Sequence, residues 1–169
     1  MADIFNYCPD KIQCLIGGLL PVSGFVDGTF ISITKDVMPF TSVKTPDGTM
    51  ARLYNSDQTY TITLTLHCGS PSNDVLTKFW QLDELTQRGK FSLLIKDPSG
   101  SDLFYSATTW IETLPTLSKS ASIDNRVWGL KSSSAIINIG SNSDPSSILQ
   151  DLINLATGAL PALEGLINV

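Results

Sequence analysis

Charge is what this chain has least of. Only 16% of its 169 residues are Asp, Glu, Lys or Arg, where about a quarter is usual. Eleven basic residues face sixteen acidic ones, for a net charge of −5. That balance argues against a protein that grips nucleic-acid backbones, which takes clustered Lys and Arg. It is compatible with a surface that must not stick to DNA. Cysteine is also sparse: Cys8, Cys14 and Cys68 are odd in number and lack metal-ligand spacing. With no N-terminal signal pattern, they are expected to be reduced cytosolic thiols. No apolar run reaches the roughly 18 residues of a membrane span, so membrane insertion is not expected. A single histidine, His67, leaves little for acid–base or metal chemistry.

What is present is apolar and hydroxylated. Apolar residues make up 42% of the chain, and a chain of this length buries roughly 70% of its unfolded surface. One domain with an appendage is the expected organisation, divided at residues 1–140 and 141–169. So little charge fits either an ordinary β domain with a Ser/Thr surface or one that hides its surface in an assembly.

The most regular stretch is residues 59–68. Tyr60, Ile62, Leu64, Leu66 and Cys68 alternate with Thr59, Thr61, Thr63, Thr65 and His67. Alternation with period two, in residues that suit a pleated surface, predicts a half-buried strand. Its apolar face, Cys68 included, should be core. Its open face carries hydroxyls and almost no charge.

Residues 1–10 read as a loosely held arm with Ile4, Phe5 and Tyr7 as its anchors. Strands are expected at 12–16 and 29–35. Between 36 and 55 the alternation lapses, and Pro46-Asp47-Gly48-Thr49 is a turn signal. Yet Val37, Met38, Phe40, Val43 and Met50 are too apolar for a loop that meets only water. The stretch reads as a contact arm, or as a hairpin folded back on its own domain. A helix should follow, with Ser70 as N-cap, Pro71 at its first position, Arg88 in its last turn and Gly89 as the stop. Val75, Phe79 and Leu82 mark its apolar stripe, widened by Leu76, Trp80 and Leu85.

Residues 91–96 form a nearly all-apolar, central strand, and 103–112 a returning one with Leu103, Tyr105, Ala107 and Ile111 on one face. Residues 126–139 read as a last long strand with Trp128 and Leu130 together. Five or six antiparallel strands and one helix give a mainly β (α+β) fold, a sandwich or barrel. Asp144-Pro145 opens a second helix signal, with an apolar stripe from Ile148 to Leu163 that Gly158 and Pro161 break or kink.

No constellation of catalytic, metal-binding or cofactor-binding residues emerges. His67 and Cys68 are neighbours on a strand and point to opposite faces. Asp83 and Glu84 sit roughly 100° apart on a helix and do not converge. Asp97 and Asp102 flank a Gly turn, and Gly17-Gly18 lacks the following Lys of a phosphate loop.

The order of short motifs is distinctive. Gly17-Gly18, Pro21, Gly24-Phe25 and Asp27-Gly28-Thr29-Phe30 lead to Asp47-Gly48, Arg52 and Asn55. Then come the Thr61-Ile62-Thr63-Leu64-Thr65-Leu66 ladder, Ser70-Pro71-Ser72-Asn73-Asp74 and Asp83. Gly89-Lys90-Phe91, Lys96-Asp97, Gly100, Trp110-Ile111, Pro115 and Val127-Trp128-Gly129-Leu130 close the set. Over about residues 11–139 this resembles the bacteriophage tail tube proteins, in particular the structural-protein family of phages with contractile tails. Residues 141–169 lie beyond that pattern.

The resemblance implies two packed antiparallel sheets with a flanking helix. It implies hexameric rings of identical copies, stacked into a hollow conduit for tape measure protein and genomic DNA. Sheath and baseplate would be further partners, with the virion tail as location and the host cytoplasm before assembly. No enzyme activity and no cofactor is implied. Residues 36–55 would be the arm that reaches adjacent subunits, with Val37, Met38, Phe40, Val43, Asp47, Gly48, Met50 and Arg52 as its contact set. Thr59, Thr61, Thr63, Thr65 and His67 become the candidate lumen face, since hydroxyls stay wetted without binding phosphate and an acidic balance repels it; the alternative is that this ladder faces outward, to solvent or a sheath. Two alternatives stand beside this one. The first is a ring that does not stack: a tail terminator, baseplate hub or secretion-system tube. The second is a β-sandwich ligand-binding module using Tyr54, Tyr60 and Tyr105.

Overall fold

The computed structural model describes residues 7–140. Ile4, Phe5 and the helix expected at 148–163 lie outside the described residues. A turn of 3-10 helix (Pro9–Lys11) leads into β1 (Gln13–Ile16), β2 (Leu20–Pro21) and β3 (Ile31–Lys35). Next come β4 (Phe40–Lys44), β5 (Met50–Tyr54), β6 (Tyr60–His67) and helix α1 (Ser72–Thr86). The chain ends in β7 (Phe91–Lys96), β8 (Leu103–Thr113), β9 (Asn125–Ser132) and β10 (Ile136–Asn138).

Strands β2-β1-β7-β8-β9-β6-β3 form one antiparallel sheet in that order, with β10 also on β8; β4 and β5 make a second, two-stranded sheet. Laid flat, β7 and β3 would sit about 19 Å apart at the usual strand spacing. Instead Ile95 of β7 lines the same groove as Ile31 and Ile33 of β3. The large sheet therefore coils back on itself, and its two halves pack as the layers of a sandwich.

The expected ladder supplies the centre of that core. Ile62, Leu64 and Leu66 of β6 are fully buried, against Leu93 of β7, Phe104 of β8 and Trp128 and Leu130 of β9. Tyr60 meets Phe104 edge-on at 5.7 Å between centroids. Cys14 is buried as well, and burial pushes its thiol up to about 12. Cys68, expected in the core, is exposed: β6 ends at His67, and Cys68 has left the pleat to bond its N–H to Asp124.

Strand β8 departs furthest from simple alternation. Phe104 and Ser106 point inward, then Thr109 and Ile111 do, so Tyr105 and Ile111 do not share a face as expected. The slip is a β-bulge opposite Ser92: Phe91 pairs with Thr109 but Leu93 with Ser106. The expected long strand 126–139 is two strands for the same reason. β9 pairs with the Thr109–Thr113 end of β8, and β10 takes over on the Leu103–Tyr105 end. At the break, hydroxyls replace ladder bonds. Ser132 donates to Ser106 (2.6 Å) and Ser106 to the Ser134 carbonyl (2.8 Å).

Helix α1 closes one end of the core. The Ser70 hydroxyl accepts the Ser72 N–H (3.2 Å), as an N-cap does. Asn73 then ties helix to sheet, accepting from the Trp128 indole N–H at 2.9 Å. Phe79 stacks on Phe91 of β7 at 4.9 Å. The helix stops earlier than expected, at Thr86, with Gln87 in the left-handed region (φ 57°). Arg88 is therefore outside the last turn. Gly89 serves close packing, since a Cβ there would lie 2.3 Å from that of Asp83. The buried stripe is also narrower than expected. Leu76 is buried and Phe79 and Trp80 half-buried against the core, while Leu82 and Leu85 are exposed. The sheet's curvature reaches only the first two turns and a half.

Replacing Leu76 by Ala should therefore cost about 2–5 kcal/mol, and Leu85 by Ala no more than about 0.5 kcal/mol. Urea unfolding of the two variants measures the difference; equal costs would mean that the helix docks through its whole apolar stripe.

Candidate assembly site

Two features collect the residues singled out by sequence: the β4–β5 hairpin and the open face of β6. In the hairpin, Phe40 pairs with Tyr54, Ser42 with Arg52 and Lys44 with Met50, while Thr41 pairs with Leu53 and Val43 with Ala51. Strand alternation then gives one face of aromatic, Arg and Met side chains and another of small and branched ones. Phe40 and Tyr54 stack at 5.4 Å, and the Arg52 guanidinium lies over the Phe40 ring at 3.7 Å.

Neither face is covered. Met38, Phe40, Val43, Met50, Leu53 and Tyr54 are between 42% and 67% exposed. Among the described residues, β4 and β5 pair only with each other and no other strand joins them. The lapse in pattern was only apparent. Met38 and Pro39 obscure the start of β4, and the turn's three loop residues obscure the register of β5. Leu53 and Tyr54, outside the expected contact set, share the hairpin's exposure. Val37 is half-buried and Asp47 and Gly48 build the turn. Gly48 has φ 87°, the left-handed position that closes a three-residue hairpin loop. Asp47 accepts the Thr45 hydroxyl and the Thr49 N–H. Those bonds, that from Thr45 first, hold its carboxyl down to about 2.

The entry root of the hairpin is tied to the sheet by a carboxylate, and the exit root is shaped by a second one within its own turn. On the entry side Asp36 accepts the Thr61 hydroxyl at 2.5 Å and pairs with the Lys131 ammonium at 2.9 Å. On the exit side Asp57 accepts both the N–H and the hydroxyl of Thr59. The Thr61 hydroxyl, then Lys131, hold the Asp36 carboxyl well below its ordinary range, at about 2. Asp36 in turn raises the Lys131 ammonium.

The open face of β6 is where expected, with Thr59, Thr61, Thr63, Thr65 and His67 all half-buried. It is not a bare hydroxyl ladder. Thr59 and Thr61 spend their hydroxyls on Asp57 and Asp36, and His67 Nδ1 accepts the Gly69 N–H at 3.2 Å. Neighbouring strands widen it: Ser32 and Thr34 of β3 pair with Thr63 and Thr61, and Val127, Gly129 and Lys131 of β9 flank them. Lys131 brings a cation to this face, and both Asp36 and Glu112 (3.9 Å) neutralise it.

The tyrosines of the ligand-module alternative do not converge. Tyr60 is buried under Lys35, whose ammonium sits 4.5 Å from the ring centroid. Tyr54 lies on the hairpin and Tyr105 on the outer side of β8.

No family model matches the sequence. The chain is 28% identical over 155 residues to a structural protein, ORF10, of Pseudomonas phage KPP10, covering 88% of this chain and 90% of that protein. Among solved structures it resembles the tube-terminating cap of the anti-feeding prophage, with TM-score 0.56, 16% identity, and coverage of 82% of this chain and 94% of that one. It also resembles the sheath/tube terminator of the extracellular contractile injection system PVC, with TM-score 0.54 and 14% identity over 82% of this chain and all of that one. The sheath-tube complex of that system gives TM-score 0.53 and 16% identity over 79% and 92%. The fold is therefore the tail-tube type, shared by tube and terminator proteins of contractile systems.

Removing either partner should release Asp36 from its clamp. Carboxyl-carbon NMR titration should find it near 2 in the native chain, higher in Lys131→Met and higher still in Thr61→Val. Because the folded value is depressed, the stabilisation is complete above the unfolded value of about 3.9 and lost as pH falls through the folded one. A value that ignores both substitutions would refute the clamp.

Proposed function

We propose that this chain is a structural subunit of a phage tail tube. Copies join into hexameric rings that stack into a conduit for tape measure protein and genomic DNA. Its place is the virion tail, after folding in the host cytoplasm. Sheath and baseplate proteins are its other partners, and its role is structural, not catalytic. The observation that carries this is the β4–β5 hairpin, with apolar side chains exposed on both faces among the described residues. A two-stranded hairpin is at best marginal in water, and exposed apolar patches of this kind mark contact surfaces. The similarity to a phage structural protein and the tail-tube fold support the same reading.

In that assembly residues 36–55 bridge adjacent subunits. Phe40, Met50, Leu53 and Tyr54 supply the contacts, and Asp36 and Asp57 hold the aim. The Thr61, Thr63 and Thr65 face lines the lumen. Its hydroxyls keep water at the wall, and the one ammonium among them is already paired, so passing phosphates meet no free cation there. A second reading is favoured by two of the similar structures being terminators: a ring that ends a tube rather than extends it. Stacking separates them.

Electron microscopy of the purified protein should show hollow tubes of uniform bore for the first reading and single rings for the second; a strict monomer at high concentration would sink both. Deleting residues 41–49 should leave the sheet folded, with its melting temperature changed by only a few degrees, because β4 and β5 pair only with each other. The deleted form should not polymerise. Tubes that still grew would remove the hairpin from the assembly.

A further inference from the structure

Among the described residues, the sandwich has an unsealed seam. β3 ends the large sheet, and β10 pairs with β8 alone. Between these two strands runs a groove of about 440 Å³, walled by Ile12, Phe30, Ile31, Ile33, Leu103 and Ile137. That volume is typical of preformed binding clefts. Ile31, Ile33 and Ile137 pack against the core from one side and stay half-exposed on the other. Natural sheets rarely leave such a margin open; covering it with another element is one of the usual remedies.

The chain itself leads out of this groove. Ile139 lines it, and the exit is fixed by two bonds. Asn138 Nδ2 donates to the Ser101 carbonyl (2.6 Å) and the Gly140 N–H to Asp102 (2.7 Å). Residues 141–169 follow. Their first seven can extend about 25 Å at most, far enough to return the next stretch along the groove. That stretch, 148–163, is the one whose Ile148, Leu152, Leu155, Ala159 and Leu163 recur at helical spacing. It carries one acid, Asp151, and no Lys or Arg, which suits an apolar seat and disfavours an acidic partner or a phosphate surface. Asp97 and Asp102, also on the groove wall, are occupied by the Ser99 and Gly140 N–H groups.

We propose that residues 148–163 of the same chain seat their apolar stripe in the groove between β3 and β10, sealing the seam of the sandwich. This goes beyond the assembly reading and does not depend on it.

The test uses the full chain with Leu155 replaced by photoreactive benzoylphenylalanine, in a mixture of isotopically heavy and light copies. Cross-linked peptides should contain Ile31, Ile33, Leu103 or Ile137 from the same copy. Cross-links to the other copy would assign the groove to a neighbour's segment and overturn the proposal. So would cross-links elsewhere, none at all, or groove cross-links obtained only when the probe stands at Phe5. In parallel, the full chain carrying Leu152→Asp and Leu155→Asp should exchange its β3 and β10 amides roughly tenfold faster. Unchanged exchange would also overturn it. Neither readout requires rings or tubes, so failure here leaves the assembly proposal standing.

Discussion

A straight β8 could not serve three neighbours. It gives one side to β7 and divides the other between β9 and β10, which demands a change of direction partway along. The bulge at Ala107 and Thr108 supplies that change, and the Ser106–Ser132–Ser134 hydroxyl network satisfies the backbone groups that the broken ladder leaves behind. Everything else is downstream. The bend coils the sheet, the coil brings Tyr60 onto Phe104 and β3 towards β7, and the enclosed space is filled by the β6 ladder. Buried serines at this point are therefore structural necessities, not lapses in an apolar core.

A coiled sheet that does not close leaves its outermost strands to be dealt with, and the chain treats them differently. Below β3, the groove offers apolar side chains; beyond β3, the chain leaves as a hairpin. The hairpin's roots are charged and its body is not. Asp36 reaches back to Thr61 of β6 and Lys131 of β9, while Asp57 turns the chain into β6 through Thr59. Such bonds are directional, whereas apolar contacts are not. Polar groups thus set where the hairpin points, and its uncovered Met, Phe, Leu and Tyr side chains set how strongly it can be held.

What could be read in the sequence divides along the same physical line. The β6 ladder was legible because one strand with one buried face writes its period directly into the residue order. Central β7 was legible from its apolar run, and α1 from its cap and spacing. The bulge in β8 was not legible, because a one-residue slip leaves composition untouched and reverses every inward position after it. Cys68 was misplaced because alternation says which face a residue shares, not where the strand stops. Leu82 and Leu85 were misplaced for a related reason: spacing identifies a stripe, but the curvature of the sheet beneath decides how much of it is covered. At the candidate site, the apolar excess of residues 36–55 was visible and the hairpin's register was not. The Asp36 clamp depends on Lys131, some ninety-five positions away, a distance that no local pattern spans.

The hairpin's two faces differ, and that difference constrains the proposed assembly. A two-fold contact buries the same patch on both partners, whereas unlike faces suit contacts in which each copy gives one surface and receives another. Such head-to-tail contacts either close into a ring or continue without end. A hairpin held at its roots by Asp36 and Asp57, with Phe40, Arg52 and Tyr54 on one side and Val43, Ala51 and Leu53 on the other, can meet two different surfaces at once. In the proposed assembly, closure within a ring would use one face and continuation along a tube the other. On the same proposal, a terminator would need only to leave one of those faces unmatched to end a tube rather than extend it.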